Sequence, residues 1–345
     1  MINSGCANAL TGSRGVADAE AMTARAAERL GISPAEVLVC STGLIGAYLP
    51  LDRVVAGIDE AVDALGPDDL TAAEAIMTTD TGAKRAAVAA SGGWSVGGMA
   101  KGTGMIAPDL ATMLAVITTD AQVAPEDLRP LLASAADASF GSITIDGASS
   151  TNDTVLVFAN GAARVAPSSD DFGEALGDVC SSLAHAIVSD GEEATKVVRV
   201  RVRGAADAAE AHTAARAVAE SLLVKATLHG CEPNWGPIAV ALGCSGAAGD
   251  YDALTISMGG TVLLDRGVPT GDRASAEARV GLARPEVVVE CDLHVGDGAA
   301  EMLGTDLSPD YVRVNADLSY DWLPVSAAAM GATHARSRSS APVER

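Results

Sequence analysis

Nucleophilic chemistry is first suggested by a serine motif near residue 95. Gly93-Trp94-Ser95-Val96-Gly97 has the G-x-S-x-G spacing of a serine hydrolase, and His229 and His294 follow as candidate bases. In that enzyme class a helix begins directly after the serine. Here the next residues are rich in glycine, which costs a helix roughly 1 kcal/mol per residue relative to alanine. A serine hydrolase using Ser95 is therefore an alternative and not the main interpretation.

Three other residues could do chemistry, but their local sequence does not assign them a role. Lys101 lies in a glycine-rich stretch that lacks the G-x-x-x-x-G-K-[ST] spacing of a phosphate-binding loop. Thr112, taken alone, reads as the start of a buried strand, because β-branched residues suit strands. Glu192 follows a predicted helix end at Gly191. Lys101 and Glu192 would ordinarily be surface charges.

Alternating strands and helices must position these residues. Apolar runs bounded by glycine and polar residues predict strands at 37–40, 86–91, 94–105, 113–119, 142–145, 154–160, 197–204, 253–265 and 286–295. Helical patterns cover 16–30, 125–138, 172–187, 207–224 and a short segment up to Gly243. The pattern indicates a layered α/β protein without internal repeats, and a Ser- and Arg-rich tail at 330–345 is predicted to be disordered.

Composition limits the partners. The 345 residues suit one large domain or two closely packed ones, and the net charge of −22 argues against nucleic acid. Six cysteines occur without a paired spacing, so neither a zinc site nor a disulfide framework is expected. No signal segment or membrane-length apolar run is found, and we expect a cytoplasmic protein that binds no membrane.

A long segment resembles a known family. Lys101-Gly-Thr-Gly-Met-Ile-Ala-Pro-Asp-Leu-Ala-Thr112-Met-Leu-Ala-Val-Ile-Thr-Thr-Asp-Ala is similar to the signature of the ornithine acetyltransferases, also called bifunctional glutamate N-acetyltransferases. Further motifs of that family are resembled in order by Asn3-Ser-Gly-Cys-Ala-Asn-Ala-Leu-Thr-Gly12, Ser41-Thr-Gly-Leu-Ile-Gly46, Met77-Thr-Thr-Asp-Thr81, Ser150-Thr-Asn-Asp-Thr154, Ser189-Asp-Gly-Glu192 and Pro233-Asn-Trp-Gly236. The likeness extends from Asn3 to about Asp317.

The resemblance implies a chain that cuts itself. The fold would be a layered α/β sandwich of the DmpA and ornithine acetyltransferase type, self-cleaved between Ala111 and Thr112. Fragment 1–111, short relative to the family, and fragment 112–329 would stay associated as a heterodimer and assemble further. The freed α-amine of Thr112, with an ordinary pKa of about 8, could serve as base for its own hydroxyl.

The resemblance also implies an acetyl transfer in arginine biosynthesis. Thr112 would take the acetyl group from N-acetylornithine and pass it to glutamate, and acetyl-CoA would be a further donor; no metal or other cofactor is expected. The hydroxyl of Thr42 and the N–H of Gly43 would stabilise the oxyanion. The substrate-binding residues carried over from the family are Thr78, Lys101, Thr112, Glu192 and Asn315. Charge complementarity pairs Lys101 with a substrate carboxylate and Glu192 with an ammonium group.

Several positions depart from the family. Asn315 is kept, but Tyr320 stands five residues later where the family has Thr or Ser, with Ser319 just before it. Glu193 and Pro237 stand where glycine and arginine are usual. These departures leave open a paralogue that acetylates another amine in specialised metabolism. A non-catalytic remnant with unpaired sheet edges is a further alternative.

Overall fold

The computed structural model describes residues 1–107 and 113–316. Its strands are β1 (Ile2–Asn3), β2 (Cys40–Ser41), β3 (Lys84–Ala90), β4 (Trp94–Lys101), β5 (Leu114–Thr119), β6 (Thr154–Ala159), β7 (Val197–Ala205), β8 (Thr255–Met258), β9 (Thr261–Asp265), β10 (Val268–Pro269), β11 (Glu286–Asp292) and β12 (Gly298–Thr305). Its helices are α1 (Gly12–Leu30), α2 (Leu51–Asp63), α3 (Asp69–Ala75), α4 (Pro125–Ala138), α5 (Ser169–Ser189), α6 (Ala208–Glu220), α7 (Leu222–His229), α8 (Gly236–Cys244), α9 (Asp272–Leu282) and α10 (Pro309–Ala316).

The chain divides into a compact unit, Met1–Ser308, and a second unit that begins at Pro309 and contains α10. The predicted mixed α/β class is confirmed, with strands and helices alternating through the first unit. Within the described residues, no helix combines the length and the apolar character that a membrane span would need.

A four-stranded sheet with the order β3-β4-β5-β6 carries most of the predicted site. The β3, β4 and β5 strands are antiparallel neighbours, whereas β5 and β6 run parallel with Leu114 opposite Thr154. The amphipathic α5 packs on β3 and β4. Its apolar residues are buried in one core with both strands, as the helical stripe predicted.

A six-stranded sheet with the order β10-β9-β8-β11-β7-β12 forms the second layer. In β7 the alternation of valine and arginine places Val198, Val200 and Val202 in the core shared with α6. The arginines of the opposite face pair with acidic residues of the neighbouring strands, as Arg199 does with Glu286 and Glu301. The period-two pattern of β7 thus places its valines in the core and its arginines on the opposite, charged face.

Several predicted elements differ from those observed. Residues 142–145 do not form a strand: Ser142 ends a short 3-10 turn and Ile143 makes a single bridge to Leu303. The predicted strand at 37–40 is reduced to Cys40–Ser41, because its partner β1 is only two residues long. The helix predicted at 207–224 is two helices, since Ser221 is extended and its hydroxyl caps α7 at Val224.

Candidate active site

The loop after β2 brings Thr42 and Gly43 close to the N-terminal segment. The Thr42 N–H donates to the Asn3 carbonyl at 3.1 Å, and Cys6 bridges both Thr42 and Leu44. Gly43 has a φ of +123°, and a Cβ at this position would lie 2.3 Å from the carbonyl carbon of Gly5. Only glycine fits such a close approach. No backbone carbonyl among the described residues accepts the Gly43 N–H.

Lys101 joins two of the predicted residues. It ends β4, is 4% exposed, and its ammonium donates to Thr42 Oγ1 at 3.3 Å and to Thr78 Oγ1 at 2.8 Å. The interpretation of Lys101 as a surface charge was therefore wrong. Burial lowers the pKa of its ammonium, and the nearby Asp80 only partly offsets that effect.

Asp80 supplies the negative charge that accompanies this buried lysine. Its carboxylate accepts from Lys84 at 2.6 Å and from the Gly102 N–H at 2.7 Å, and it lies 4.0 Å from the Lys101 ammonium. Lys84 also pairs with Asp190, at 2.5 Å. Burial opposes ionisation of Asp80, but Lys101, Lys84 and the Gly102 amide together hold its carboxyl pKa below the usual value.

Neither Asp80 nor Lys84 was among the residues predicted for the site. Asp80 lies inside the Met77–Thr81 motif, which was recognised only as a family segment. The residue type of Asp80 could have indicated a role, because a carboxylate between apolar segments usually has a buried partner of opposite charge.

Glu192 lies on the loop between α5 and β7, half-buried beside the glycine-rich stretch that follows β4. Its N–H donates to the Thr103 carbonyl at 2.8 Å. A Cβ at Gly104 would lie 3.2 Å from Glu192 Oε2 and 3.8 Å from Asp146 Oδ2, so glycine leaves room for the carboxylate. Glu193, the next residue, has a φ of +52°.

Asp306, the residue after β12, holds the loop that carries Glu192. The fully buried carboxylate of Asp306 accepts from the Thr195 and Lys196 N–H groups at 2.8 and 3.0 Å, and it lies 2.7 Å from His229 Nδ1. The Thr195 hydroxyl donates the fourth hydrogen bond to this carboxylate, and together the four attach the Glu192 loop to the end of the six-stranded sheet.

Two polar residues precede β6, and the first of them bonds to the segment before Thr42. The Asn152 amide donates to the Ser41 carbonyl and, at 3.4 Å, to that of Ala7. Both carboxylate oxygens of Asp153 are buried and accept no hydrogen bond of ordinary geometry from the described residues. Burial raises the pKa of Asp153 to about 8, against the opposing influence of the Met113 amide and the charge of Lys101.

Ala111 and Thr112, predicted as the cleavage site and the nucleophile, lie outside the described residues. Met113, which follows Thr112 directly, is buried, and its carbonyl accepts from the Thr154 N–H at 2.9 Å. Asn315 belongs to the second unit, where its amide donates to the Tyr311 carbonyl at 3.0 Å. Its role in binding substrate therefore stays a prediction, and Tyr320 lies outside the described residues.

The serine hydrolase alternative does not fit the structure. Ser95 lies inside β4, paired with Ala89, and not at the strand-to-helix turn that a nucleophile elbow requires. Its hydroxyl bonds to Asp120, whereas His229 bonds to Asp306 and His294 to Thr255. The glycine-rich continuation of the sequence had indicated the same outcome.

The assembled residues are suited to stabilising negative charge. A buried ammonium bonded to the Thr42 hydroxyl, and the backbone N–H of the next residue, Gly43, are the donor types of an oxyanion hole. Among residues 1–107 and 113–316, no group of three or more His, Cys, Asp or Glu side chains could hold a metal ion.

Comparisons with known proteins identify the family of this chain. The model of the ArgJ family matches residues 1–320. The "Arginine biosynthesis bifunctional protein ArgJ" of Geobacter sulfurreducens is 46% identical over 327 residues, covering 92% of this chain and 83% of that protein. The protein of the same name from Symbiobacterium thermophilum is 49% identical over 325 residues, covering 91% and 81%. A crystal structure of the Bacillus halodurans protein of that name is 38% identical with a TM-score of 0.56, covering 58% of this chain and 97% of that one.

Proposed function

The chain belongs to the ArgJ family, and from this premise we propose that it is a glutamate N-acetyltransferase of arginine biosynthesis that works through an acetyl ester on Thr112. Thr112 Oγ attacks the acetyl carbonyl of N-acetylornithine, ornithine leaves, and the α-amine of glutamate then takes the acetyl group. Acetyl-CoA is proposed as a second donor. The observation that carries the proposal is the contact of Lys101 with both Thr42 and Thr78, because it unites three motifs that are distant in sequence.

Self-cleavage makes the nucleophile available. Attack by Thr112 Oγ on the Ala111 carbonyl and hydrolysis of the resulting ester would free an α-amine that can accept the hydroxyl proton in each later turnover. The solved Bacillus halodurans chain supports a division into two fragments. The match covers 97% of that chain but only 58% of this one, so that chain is the shorter of the two. A separate fragment of the enzyme would have this property.

The four-stranded sheet explains how the fragments would stay together. The β3 and β4 strands belong to fragment 1–111, and β5 and β6 to the fragment that starts at Thr112. The β4–β5 pair runs from Lys101 opposite Leu114 to Val96 opposite Thr119, and α5 covers β3 and β4. Cutting the connection leaves this pairing intact, and separating the fragments would expose the core.

Lys101 and Thr42 together would form the oxyanion hole with Gly43. An ammonium group has donors only, so the Thr42 hydroxyl accepts from Lys101 and its own proton is free to point at a developing oxyanion. The positive charge of Lys101 then acts on the oxyanion through this hydroxyl. The Gly43 N–H is the second donor.

The charges around the site suit an amino-acid substrate. Thr78 is exposed while Lys101 is buried, so a substrate carboxylate would reach the lysine charge through the Thr78 hydroxyl. Glu192 is proposed to bind the ammonium group of ornithine. Its loop is held at both ends, by Thr103 and by Asp306, which would fix the carboxylate in position.

Trapping of the acetyl-enzyme tests this function. Purified protein mixed with N-acetylornithine but no glutamate is expected to release about one equivalent of ornithine in a burst and to carry an acetyl group on the fragment that begins at Thr112. Added glutamate should discharge that group as N-acetylglutamate. Release of ornithine without an acetylated fragment would sink the double-displacement mechanism, and transfer to a different amine in an acceptor panel would reassign the acceptor.

A further inference from the structure

Two loops that carry proposed substrate-binding residues are bonded to each other. Thr78 lies on the loop between α3 and β3, and Glu192 lies on the loop between α5 and β7. The Asp190 carboxylate, at the start of the Glu192 loop, accepts from the Thr81 N–H at 3.1 Å and from the Thr81 hydroxyl. The proposed mechanism gives this contact between the loops no role.

Asp190 is also held from the side of β3. The Lys84 ammonium donates to the same carboxylate at 2.5 Å. Gly191 joins Asp190 to Glu192, and a Cβ at Gly191 would lie 2.8 Å from Thr305 Cγ2 at the end of β12. A shift of Asp190 would therefore reach Glu192 through a single residue that is tightly packed.

Thr103 makes the second connection between the two loops. It is 2% exposed, and its carbonyl accepts the Glu192 N–H at 2.8 Å. Its hydroxyl lies 2.8 Å from that of Thr79, which follows Thr78 directly. Lys101, on the same stretch as Thr103, donates to Thr78 Oγ1 at 2.8 Å. The residues after β4 thus contact both loops.

The donor of the proposed reaction has one charge of each sign. In N-acetylornithine the acetyl group occupies the α-nitrogen, so the only ammonium is at the end of the side chain. The carboxylate is proposed to bind at Thr78 and Lys101, and the ammonium at Glu192. The side-chain length that satisfies both charges depends on the distance between the two loops. Loops fixed to each other favour one length, whereas loops that move independently accept several.

We propose that Thr103 and Asp190 are positioning residues that select the donor by its side-chain length, an inference that rests on the proposed function. They act through Thr79 and Thr81 on one loop and through the backbone of Glu192 on the other. The wild-type enzyme should prefer N-acetylornithine to Nα-acetyl-lysine, which is one methylene longer, and to Nα-acetyl-diaminobutyrate, which is one shorter, by about tenfold or more in kcat/KM.

Thr103→Val and Thr81→Val test the inference, because each removes one hydroxyl from the contacts between the loops and keeps the shape of the side chain. The kcat and KM of each variant are measured for the three donors with glutamate as acceptor. We expect the KM of N-acetylornithine to rise by about fivefold while its kcat stays within about twofold of wild type. The preference for N-acetylornithine over Nα-acetyl-lysine should fall by about fivefold, since freed loops accept the longer donor.

Thr119→Val is the matched control. It also removes a buried hydroxyl, one that donates to the Ser95 carbonyl at 2.7 Å at the far end of β5, and it should keep the wild-type preference. A preference within about 1.5-fold of wild type in both Thr103→Val and Thr81→Val, or an equal loss for all three donors, would overturn the positioning role and leave the acetyl transfer standing. A wild-type enzyme that uses none of the donors would overturn the proposed function and this inference with it.

Thermal unfolding shows whether each variant folds. Should Thr103→Val fail to fold, Thr103→Ser and Thr103→Ala give the comparison, because both lack the methyl group and only the Ser variant keeps a hydroxyl for Thr79. The Ser variant should retain more of the preference for N-acetylornithine than the Ala variant. Equal preferences in these two variants would contradict the proposal.

Discussion

Lys101 is almost fully buried, and its ammonium donates to the hydroxyls of Thr42 and Thr78. Burial lowers the pKa of the Lys101 ammonium, and the Asp80 carboxylate lies 4.0 Å from it. A cation in a water-poor site acts more strongly on a developing negative charge than one on the surface. Its contact with Thr42 directs that effect to the proposed oxyanion.

Replacement of Lys101 by Met tests this role. Losing one oxyanion-stabilising group is expected to lower kcat by about 10²–10³-fold, measured as acetyl transfer from N-acetylornithine to glutamate. The pKa of Lys101 is lowered from the ordinary lysine value of 10.5, so Lys101 loses its charge below that pH. The kcat of the wild-type enzyme should therefore begin to fall with rising pH before pH 10.5 is reached. The Met variant should lack this alkaline limb.

The matched control is Lys225→Met, which also removes a buried ammonium, here one that donates to Thr305 Oγ1 at 2.9 Å. It should lower stability while kcat per folded molecule stays near that of wild type. A loss of kcat as large as that of Lys101→Met would indicate a general effect of removing buried lysines.

Glu193 is strained by its backbone. Its φ of +52° is a conformation that costs a side chain about 1–2 kcal/mol and glycine almost nothing, which gives a physical reason for the glycine usual at this position in the family. We expect Glu193→Gly to raise the free energy of unfolding by about 1 kcal/mol in chemical denaturation. Ala194→Gly, in the same loop but without positive φ, should lower it by roughly 0.5–1 kcal/mol. A Glu193→Gly variant less stable than wild type would contradict this account.

At the scale of elements, a buried ion-pair network ties β3, β4 and α5 together. Asp80 accepts from Lys84 of β3 and from the amide of Gly102, which follows β4, and Lys84 pairs in turn with Asp190 at the end of α5. Breaking one partner of such a network leaves an uncompensated buried charge. The same Asp80 carboxylate lies 4.0 Å from the Lys101 ammonium, so the network borders the site.

Asp80→Asn is expected to lower the free energy of unfolding at pH 7 by about 3–5 kcal/mol. Because the folded-state pKa of Asp80 is depressed, its stabilisation is present above 3.8, the ordinary value, and is lost as pH falls through the lowered pKa. Urea denaturation from pH 7 to strongly acidic pH should show the difference between variant and wild type shrinking below 3.8. Asp69→Asn, which breaks an exposed pair with Arg85, is the control and should cost less than about 1 kcal/mol.

Elements with a strong period could be predicted from the sequence. The α4 helix was predicted with its observed ends, because Pro125 and two acidic residues mark its first turn. The apolar face of α5 and the alternation of β7 were also correct. The strand at 142–145 was wrong, since three β-branched residues in a row, at 143–145, do not reveal that only Ile143 finds a strand partner.

The site could be predicted only in part, and for a related reason. The family motifs predicted Thr42, Thr78 and Lys101 as site residues, and in the structure Lys101 donates to both threonine hydroxyls. Asp80 and Lys84, which lie beside Lys101, were missed, because burial and the partners of a charge depend on contacts between distant segments. Sequence periodicity carries no information about such contacts.

At the scale of the whole molecule, the compact unit Met1–Ser308 spans the proposed cleavage point. Strands from both sides of residue 111 lie side by side within one sheet order, β3-β4-β5-β6, and share one core with α5. A cut in the connection between β4 and β5 therefore breaks one covalent bond but leaves the pairing of the strands and their packing on α5 in place. We expect the fragments to elute together in size-exclusion chromatography and to separate only in denaturant.

The intact mass of purified protein, measured beside that of a Thr112→Ala variant, shows whether the chain cuts itself before Thr112. We expect two fragments from wild type, one beginning at Thr112, and a single uncut chain from the variant. A wild-type chain that stays whole while transferring acetyl groups, or a variant that is still cut before residue 112, would contradict this expectation.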